Sequence, residues 1–390
     1  MKNYIELVNA NVRLQEGPLV IEQLLVECFI QPGISTKELA RKVLLPVPVA
    51  TAVKKELIKA GALMQDRGVR CTYNGISYIE NELGYGGLDK ALYQRLMTNG
   101  TVWKIELEEI LSLITKLFQL RPQVNVQIDQ SKCTPETSLR RAILCLREHA
   151  LIGKKILCVG DDDLVSVSLG LLLNRLFPNE GNKKTMITVI DNDDRFLKYI
   201  RDIKVREGLF INDLHMDLRQ PLPEYFHGQY DCFFTDPPYT LQGMSLFLSR
   251  GISAIKKAKG LPIFLSFAHK SPDFMLAFQQ ELIHMSLSIK EIIVHFNEYE
   301  GAQMIGNKGQ MIVLQTTEST KPNITDRFED TIYTGEVRQT IRTYQCKLCN
   351  RSILVGIQGD FPTIEVLKNQ GCPVCNQNKF CLIKKQIRRK

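Results

Sequence analysis

Carboxylates are concentrated at four places in the sequence, and each place lies at the end of a segment with the pattern of a strand. Such strand-like segments alternate with helix-length segments between residues 154 and about 317, which predicts a mostly parallel α/β sheet. The carboxylates then lie at the carboxyl ends of strands, where open α/β sheets bind ligands. Together they predict a pocket of strongly negative potential that attracts a cation. The residues are Asp161, Asp162 and Asp163 after the first strand, then Asp191, Asp217 and Asp236.

The loop after the first strand has one glycine, Gly160, followed by three aspartates, where a glycine-rich sequence usually opens the next helix. A methyltransferase holds the carboxylate of S-adenosylmethionine near this loop, and a run of Asp would repel that carboxylate. Decarboxylated S-adenosylmethionine ends in an ammonium instead, and it donates aminopropyl groups. The loop therefore favours this donor and a polyamine acceptor. We expect Gly160 to contact this donor. Asp191 follows 31 residues after Gly160 and is expected to bind the donor's ribose, and Asp217 is expected to bind its adenine.

The sequence Asp236-Pro237-Pro238-Tyr239 resembles a motif of amine-directed N-methyltransferases. In that motif the Asp side chain and a Pro carbonyl accept hydrogen bonds from the nitrogen under attack, while the aromatic ring stacks on a flat base. We assign substrate binding to the two prolines and the tyrosine. We assign catalysis to Asp162 and Asp236, which would align the acceptor amine and take its proton before an in-line displacement.

Three further carboxylates are predicted to contact the substrate. Asp161 and Asp163 are expected to share this task with capping of the following helix, which is the commoner role of an aspartate at a strand end. Glu298 lies near the end of the sixth strand and is expected to bind a distal ammonium. The alternative for Glu298 is a carboxylate in a surface loop.

Four cysteines near the C-terminus form two Cys-x2-Cys pairs separated by 22 residues. This spacing is typical of a structural zinc ion held by four thiolates. A module of about 50 residues with little apolar core depends on such a metal for stability. The predicted ligands are Cys346, Cys349, Cys372 and Cys375.

The other segments predict the domain organisation. Three helices and a hairpin between residues 18 and 83 are typical of a winged helix, with Ser35 or Thr36 as a helix cap, and this module hints at a homodimer. Thr134 and Pro135 are expected to begin the helix that leads into the sheet. The predicted parts are a winged-helix domain (1–90), a helical connector (91–128), a Rossmann-like domain (129–320) and a zinc-ribbon-like module (325–390).

The predicted sheet has five parallel strands followed by a hairpin, and it resembles the seven-stranded fold of S-adenosylmethionine-dependent methyltransferases. The chain also resembles the branched-chain polyamine synthases, or N4-bis(aminopropyl)spermidine synthases, of thermophilic archaea and bacteria. The resemblance is carried by "TPETSLRRA", "ILCVGDDDLVSVSL", "VIDNDDR", "MDLRQPLP", "FFTDPPYT" and "FNEYEG", between residues 130 and 305. It implies a Rossmann-like aminopropyltransferase with an N-terminal winged-helix-like domain, which adds aminopropyl groups from decarboxylated S-adenosylmethionine to the secondary amine of spermidine, once and then again. Two features depart from the family: Tyr239 stands where some members have Glu, and the zinc module is not implied by the resemblance.

Two other functions are consistent with the sequence. An S-adenosylmethionine-dependent N-methyltransferase acting on a nucleic-acid amine would explain Tyr239 and the basic C-terminus, but it would bring a polyanion to an acidic pocket. A transcription regulator whose sheet only senses a polyamine is the non-enzymatic alternative. Loss of activity on substituting Asp236 would separate an enzyme from a sensor.

Composition sets outer limits on location and partners. The chain has 390 residues and eleven cysteines, with neither an 18-residue apolar run nor a signal-peptide core at its N-terminus, so we expect a cytosolic protein with buried or metal-bound thiols. Of the net charge of +8, residues 337–390 hold eleven Lys or Arg against two Asp or Glu. This basic tail makes nucleic acid a conceivable partner, although the sequence does not favour it.

Overall fold

A computed structural model describes residues 2–98, 100–125, 128–179, 182, 184–300, 308–333, 338–356, 359–361 and 363–389, without the side chains of 338–340, 365 and 387–389. The chain forms two compact units. The first contains residues 1–123, 132–237 and 246–328, and the second contains residues 124–131, 238–245 and 329–390.

The helices begin with a group that precedes the main sheet. They are α1 (Tyr4–Val12), α2 (Leu19–Ile30), α3 (Thr36–Lys42), α4 (Val47–Ala60), α5 (Tyr73–Asn81), α6 (Lys90–Met97), α7 (Trp103–Glu106) and α8 (Glu108–Leu120). The helices that follow are α9 (Pro135–Arg147), α10 (Val165–Leu176), α11 (Asp194–Glu207), α12 (Leu241–Ala254), α13 (Pro272–His284) and α14 (Ile364–Gln370).

The strands belong to three sheets. A hairpin is formed by β1 (Leu63–Gln65) and β2 (Val69–Cys71). The main sheet contains β3 (Lys132–Cys133), β4 (Lys155–Val159), β5 (Met186–Asp191), β6 (Ile211–His215), β7 (Cys232–Thr235), β8 (Pro262–Phe267), β9 (Leu287–Glu300) and β10 (Lys308–Thr316). A small sheet in the second unit contains β11 (Arg338–Cys346), β12 (Ser352–Val355) and β13 (Phe380–Arg389).

The main sheet has the order β3-β9-β10-β8-β7-β4-β5-β6. Its strands β4 to β8 pair in parallel, and β10 lies antiparallel between β8 and β9. Five parallel strands followed by a hairpin are therefore confirmed, and the fold is Rossmann-like. The sequence patterns did not indicate β3, which pairs only two residues with the end of β9. Part of the predicted Gly-rich connection between β9 and β10, residues 301–307, lies outside the described residues.

The N-terminal segment packs directly on the α/β part of the first unit. Its helices α2 to α4 and the hairpin follow the predicted order, and Ser35 caps α3 by accepting a hydrogen bond from the Glu38 N–H. One hydrophobic core joins buried residues of this segment, such as Leu24, with Ile156 of the sheet. The winged-helix class and the predicted domain boundaries stay predictions. In the part of the chain that the structure describes, no helix is both long enough and apolar enough to cross a membrane.

Helix α9 begins as predicted. Thr134 caps it by accepting a hydrogen bond from the Thr137 N–H, and Pro135 occupies the first turn, where its missing N–H costs nothing. Thr134 also donates its backbone N–H to the Glu298 carbonyl of β9, at 2.8 Å. The start of α9 is thereby fixed against the sheet, and its next turn is held beside the carboxyl ends of the central strands.

Candidate active site

The candidate site is organised by Arg141, a buried arginine on α9. Its Nη1 donates to Asp163 Oδ2 at 2.9 Å, and its Nη2 donates to Asp236 Oδ2 at 3.0 Å. The Nε group donates to Asn297 Oδ1 at 2.9 Å, and Nη2 also lies 3.1 Å from the Tyr299 hydroxyl. Burial alone would lower the pKa of Arg141, but Tyr299, Asp163 and Asp236 raise it well above its usual value. The guanidinium is therefore permanently charged, and it joins the first loop, β7 and β9 at one point.

Asp236 has a fixed orientation at the end of β7. Its Oδ2 accepts hydrogen bonds from Arg141 and, at 2.7 Å, from the Tyr299 hydroxyl. Tyr299 is itself held by Ser266 on β8, with 2.8 Å between the two hydroxyl oxygens. Burial raises the pKa of Asp236, while the charge of Arg141 opposes the rise. Asp236 is thus placed as an oriented carboxylate at the carboxyl edge of the sheet.

Asp161 binds the backbone at the start of α10. Its carboxylate accepts hydrogen bonds from the N–H groups of Val165 and Ser166, with shortest distances of 2.7 and 3.1 Å. Leu164, which precedes the helix, has a left-handed φ of 53° and makes no side-chain cap, so the capping role passes to Asp161. Burial raises the pKa of Asp161 to about 7, against the effect of these hydrogen bonds. The capping part of its predicted role is directly visible.

Asp191, at the end of β5, receives two backbone donors. Its Oδ2 accepts from the Asp161 N–H at 2.9 Å, and its Oδ1 accepts from the Asp193 N–H at 2.8 Å. Burial raises its pKa. These bonds fix the carboxylate between the first two loops of the sheet, which is where the sequence predicts the donor ribose.

Asp162 differs from its neighbours. In the described part of the chain its carboxylate takes part in no hydrogen bond or ion pair, although it lines the pocket between Asp161 and Asp163. Burial raises its pKa well above the usual value, and the negative charges of Asp163, Asp191 and Asp236 raise it further. A carboxylate with high proton affinity and no internal donor has the properties of a general base.

The pocket at this edge combines carboxylates with apolar walls. Arg141, Asp162 and Asp236 contribute its polar side, and the rings of Phe234 and Phe264 line it together with Met311. A cation at the end of a methylene chain suits both surfaces, because carboxylates attract the charge and the apolar walls cover the chain.

The pocket is less negative than the acidic sequence pattern suggests. Besides Arg141, the buried Arg121 follows α8, donates through Nη2 to the Cys133 carbonyl at 3.1 Å, and lies 3.9 Å from Asp163 Oδ1. Asp163 also accepts the Cys133 N–H at 3.0 Å, so it is committed to internal partners. Sequence reasoning missed both arginines because they are distant in sequence from the aspartates that they contact.

The remaining predicted site residues lie at different places. Asp217 is exposed after β6 and accepts the Arg219 N–H at 2.9 Å. Glu298 is exposed within β9, whereas Asn297 and Tyr299 are buried beside Arg141, so Glu298 points to the opposite face of the strand. The structure therefore does not bring Glu298 to Asp236.

The Asp-Pro-Pro-Tyr motif is divided between the two units. Asp236 and Pro237 belong to the first unit, and Pro238 and Tyr239 belong to the second. Gly160 has a left-handed φ of 77°, which favours glycine at the end of β4. The predicted contacts of these residues with donor or acceptor stay predictions.

The four predicted zinc ligands come together in the second unit. Their Sγ atoms all lie within 4.8 Å of one another, with 3.4 Å between Cys346 and Cys375 and 3.6 Å between Cys349 and Cys372. Four thiolates at Zn–S distances of about 2.3 Å have S···S separations of about 3.8 Å, so the donor set fits one tetrahedral zinc ion. Hydrogen bonds from the N–H groups of Cys349 and Leu348 lower the pKa of Cys346 to about 6, which favours the thiolate.

The strand order and the position of the pocket define a Rossmann-like α/β fold whose candidate site lies at the carboxyl ends of the parallel strands. A family model described as the branched-chain polyamine synthase A C-terminal domain matches residues 109–353. The chain belongs to the branched-chain polyamine synthase family.

Named relatives agree with this assignment, and a solved structure shares the fold. An uncharacterized protein of Methanocaldococcus jannaschii is 36% identical over 380 residues, 96% of this chain and 90% of the relative. The N(4)-bis(aminopropyl)spermidine synthase of the same organism is 30% identical over 257 residues, 65% of this chain and 70% of the relative. The branched-chain polyamine synthase of Thermus thermophilus, solved with N4-aminopropylspermidine and 5′-methylthioadenosine, shares the fold with a TM-score of 0.50 and 22% identity, covering 85% of this chain and 96% of that one.

Replacing Arg141 with Met should destabilise the protein by about 3–5 kcal/mol, because it leaves buried carboxylates without their cation. Arg140→Met is the matched control on the same helix: Arg140 is half-buried, and the loss of its hydrogen bond to the Phe296 carbonyl should cost about 1 kcal/mol. Urea denaturation at pH 7 measures both.

The loss in free energy of unfolding caused by Arg141→Met should also become smaller as the pH falls from 8 to 5. Without Arg141 the main effect that opposes burial is lost, and only the hydrogen bond from Tyr299 still lowers the pKa of Asp236. A carboxyl with a raised pKa in the folded state favours folding at low pH and loses that contribution as pH rises. A loss of stability in Arg141→Met that does not change with pH would contradict the role given to Arg141. Equal losses of stability in Arg141→Met and Arg140→Met would contradict it as well.

Proposed function

We propose that this chain transfers aminopropyl groups from decarboxylated S-adenosylmethionine to the secondary amine of spermidine, forming N4-aminopropylspermidine and then N4-bis(aminopropyl)spermidine. The observation that carries the proposal is that one pocket holds both Asp162, whose raised pKa goes with no hydrogen bond or ion pair to any described residue, and Asp236, whose carboxylate is oriented by Arg141. The names of the relatives support it. So does the Thermus thermophilus complex, since 5′-methylthioadenosine is what remains of the donor after its aminopropyl group has left.

The proposed step is a displacement at the donor's methylene carbon. Asp162 takes a proton from the central ammonium of spermidine and frees the nitrogen lone pair, while Asp236 orients the amine. The nitrogen then forms a bond to the methylene carbon beside the sulfonium. The C–S bond breaks, its electron pair goes to sulfur, and neutral 5′-methylthioadenosine leaves. Approach in line with the C–S bond depends on an acceptor held in register, which explains the need for a rigid Asp236.

The other predicted contacts complete the proposal. Asp191 would hold the donor's ribose and Asp217 its adenine beside Gly160. Asp161 would act mainly by capping α10, and Asp163 by binding Arg141. Both add negative potential that favours the cationic substrates. Tyr239 and the two prolines would contact the acceptor, while Glu298 would serve only an acceptor that reaches the other face of β9. The cytosolic location and the homodimer stay predictions.

Purified protein incubated with spermidine should give products heavier by one and by two aminopropyl groups with decarboxylated S-adenosylmethionine only. The products are identified by mass spectrometry, and a parallel reaction with S-adenosylmethionine as the donor is the control. Methylation of RNA or DNA with S-adenosylmethionine, and an unchanged spermidine with either donor, would establish the alternative N-methyltransferase instead.

Asp162→Asn should lower kcat/KM for aminopropyl transfer by about 100-fold or more, the scale of a lost general base. Stability should be kept, because the carboxylate takes part in no described hydrogen bond or ion pair. In the wild type, kcat/KM should fall as pH is lowered through the raised pKa of Asp162, since the base works only when deprotonated.

The matched substitution is Asp161→Asn, which alters the cap of α10. It should lower the stability by about 1 kcal/mol and change the pH dependence of kcat/KM less than Asp162→Asn does. Product mass spectrometry across a pH series, with thermal unfolding in parallel, separates the two effects. An Asp162→Asn enzyme with the wild-type rate and pH profile would remove the base assignment.

We infer that the second unit binds one structural zinc ion through Cys346, Cys349, Cys372 and Cys375. When bound, zinc supplies a cross-link between the two knuckles, and a full set of four thiolates leaves no position for substrate. The small apolar core around Ile353 and Leu367 is the rest of what stabilises the module.

Elemental analysis should find one zinc ion per chain in the wild type and none in Cys372→Ser. The melting temperature should fall in that variant because the thiolate cluster is incomplete. Cys381→Ser is the control, since the one described hydrogen bond of this thiol goes to the Gln345 carbonyl, and the variant should keep the metal. Equal zinc content in the two variants would disprove the ligand set.

A further inference from the structure

The small sheet and zinc-binding knuckles of the second unit carry positive charge that the proposed reaction does not use. Residues 338–390 hold eleven Lys or Arg and two Asp or Glu. Seven cationic side chains of this segment are described, and none makes a hydrogen bond or ion pair with another described residue. They are Arg342, Lys347, Arg351, Lys368, Lys379, Lys384 and Lys385.

The pairing of strands places two of these charges side by side. Arg342 on β11 lies directly opposite Lys385 on β13. Like charges in directly opposed cross-strand positions destabilise a sheet. The acidic group described nearby, Asp360, accepts a hydrogen bond from the Leu354 N–H at 2.9 Å and makes no described ion pair with either cation. The repulsion therefore has no described internal compensation.

The positive residues follow one edge of the sheet. In the order β12-β11-β13, strand β13 is at the edge, and it follows directly after Lys379. Lys384 and Lys385 are exposed and, as successive residues of a strand, point to opposite faces. At the knuckle end, Lys347 donates its backbone N–H to the Lys379 carbonyl at 3.0 Å, so these two residues are neighbours.

We propose that this basic edge, formed by Lys347, Lys379, Lys384 and Lys385, binds the phosphate backbone of double-stranded nucleic acid. A strand rises about 3.3 Å per residue, so Lys379 to Lys385 spans about 20 Å, the length of about six base-pair steps. An elongated polyanion alongside an edge strand reaches cations on both faces, whereas a flat anionic membrane contacts one face. Charge complementarity thus favours a duplex.

The same residues indicate that binding does not depend on sequence. From residue 338 onward the described aromatic side chains are Tyr344, Phe361 and Phe380, and all three are half-buried against the small core, so no exposed ring is described there that could stack on bases. Single-strand binding proteins rely on such stacking. Contacts from Lys to phosphate carry no base information. Duplex should therefore bind better than a single strand of the same sequence.

The test uses full-length, zinc-loaded protein and fluorescence anisotropy with labelled 20-base-pair duplexes of two unrelated sequences. We expect equal affinity for both duplexes and a linear fall of log K with log salt concentration. Lys384→Gln/Lys385→Gln should weaken binding at least tenfold at 100 mM NaCl and reduce the salt slope by about two, one for each lost phosphate contact.

The matched control is Lys116→Gln/Lys198→Gln, which removes the same charge from two exposed lysines of the first unit and should stay within twofold of the wild type. Lys347→Gln/Lys379→Gln is a second test at the knuckle end, should the first variant lose zinc. Equal weakening in the control would show a general charge effect and overturn the proposal. So would binding to anionic phosphatidylserine vesicles in place of duplex. Aminopropyl transfer should be unchanged in all three variants, so failure here leaves the proposed reaction untouched.

Discussion

The buried guanidinium of Arg141 is the interaction on which the site depends. It joins α9 to Asp163 in the first loop, to Asp236 after β7, and to Asn297 and Tyr299 in β9. A planar donor with five N–H groups can hold several acceptors in fixed directions, which a lysine ammonium cannot do. Three separate segments of the chain are thereby tied to α9 at the carboxyl edge of the sheet.

The acidic residues around this cation have different tasks. Asp161 and Asp191 bind backbone N–H groups, Asp163 and Asp236 bind Arg141, and Asp162 has no described internal partner. Burial raises the pKa of Asp162 most, and the negative charges of Asp163, Asp191 and Asp236 raise it further although these carboxylates have internal partners. The division explains how five carboxylates can share a small volume and leave one of them, Asp162, without a described internal partner.

The comparisons place the chain in a family but also separate it from the named synthases. Two relatives of this chain come from Methanocaldococcus jannaschii. One of them matches 96% of this chain, whereas the other, a named synthase, matches 65% of it. The resemblance seen in the sequence also leaves the residue after Asp-Pro-Pro, Tyr239, outside the expected pattern. The acceptor is therefore the part of the proposed reaction that the family assignment constrains least.

The sequence by itself determined the parallel sheet with its terminal hairpin, the Thr134 cap of α9, and the cysteine spacing, because each depends on short-range periodicity or local hydrogen bonding. It also indicated which strand ends carry carboxylates. Only the tertiary structure decided their partners. Arg141 lies 95 residues before Asp236 in the chain, and nothing local distinguishes it from Arg140, which is half-buried and bonds only the Phe296 carbonyl among the described acceptors. Side chains alternate along β9, so Tyr299 is buried beside Arg141 while Glu298 points to the opposite face. The sequence does not show which face of the strand meets α9.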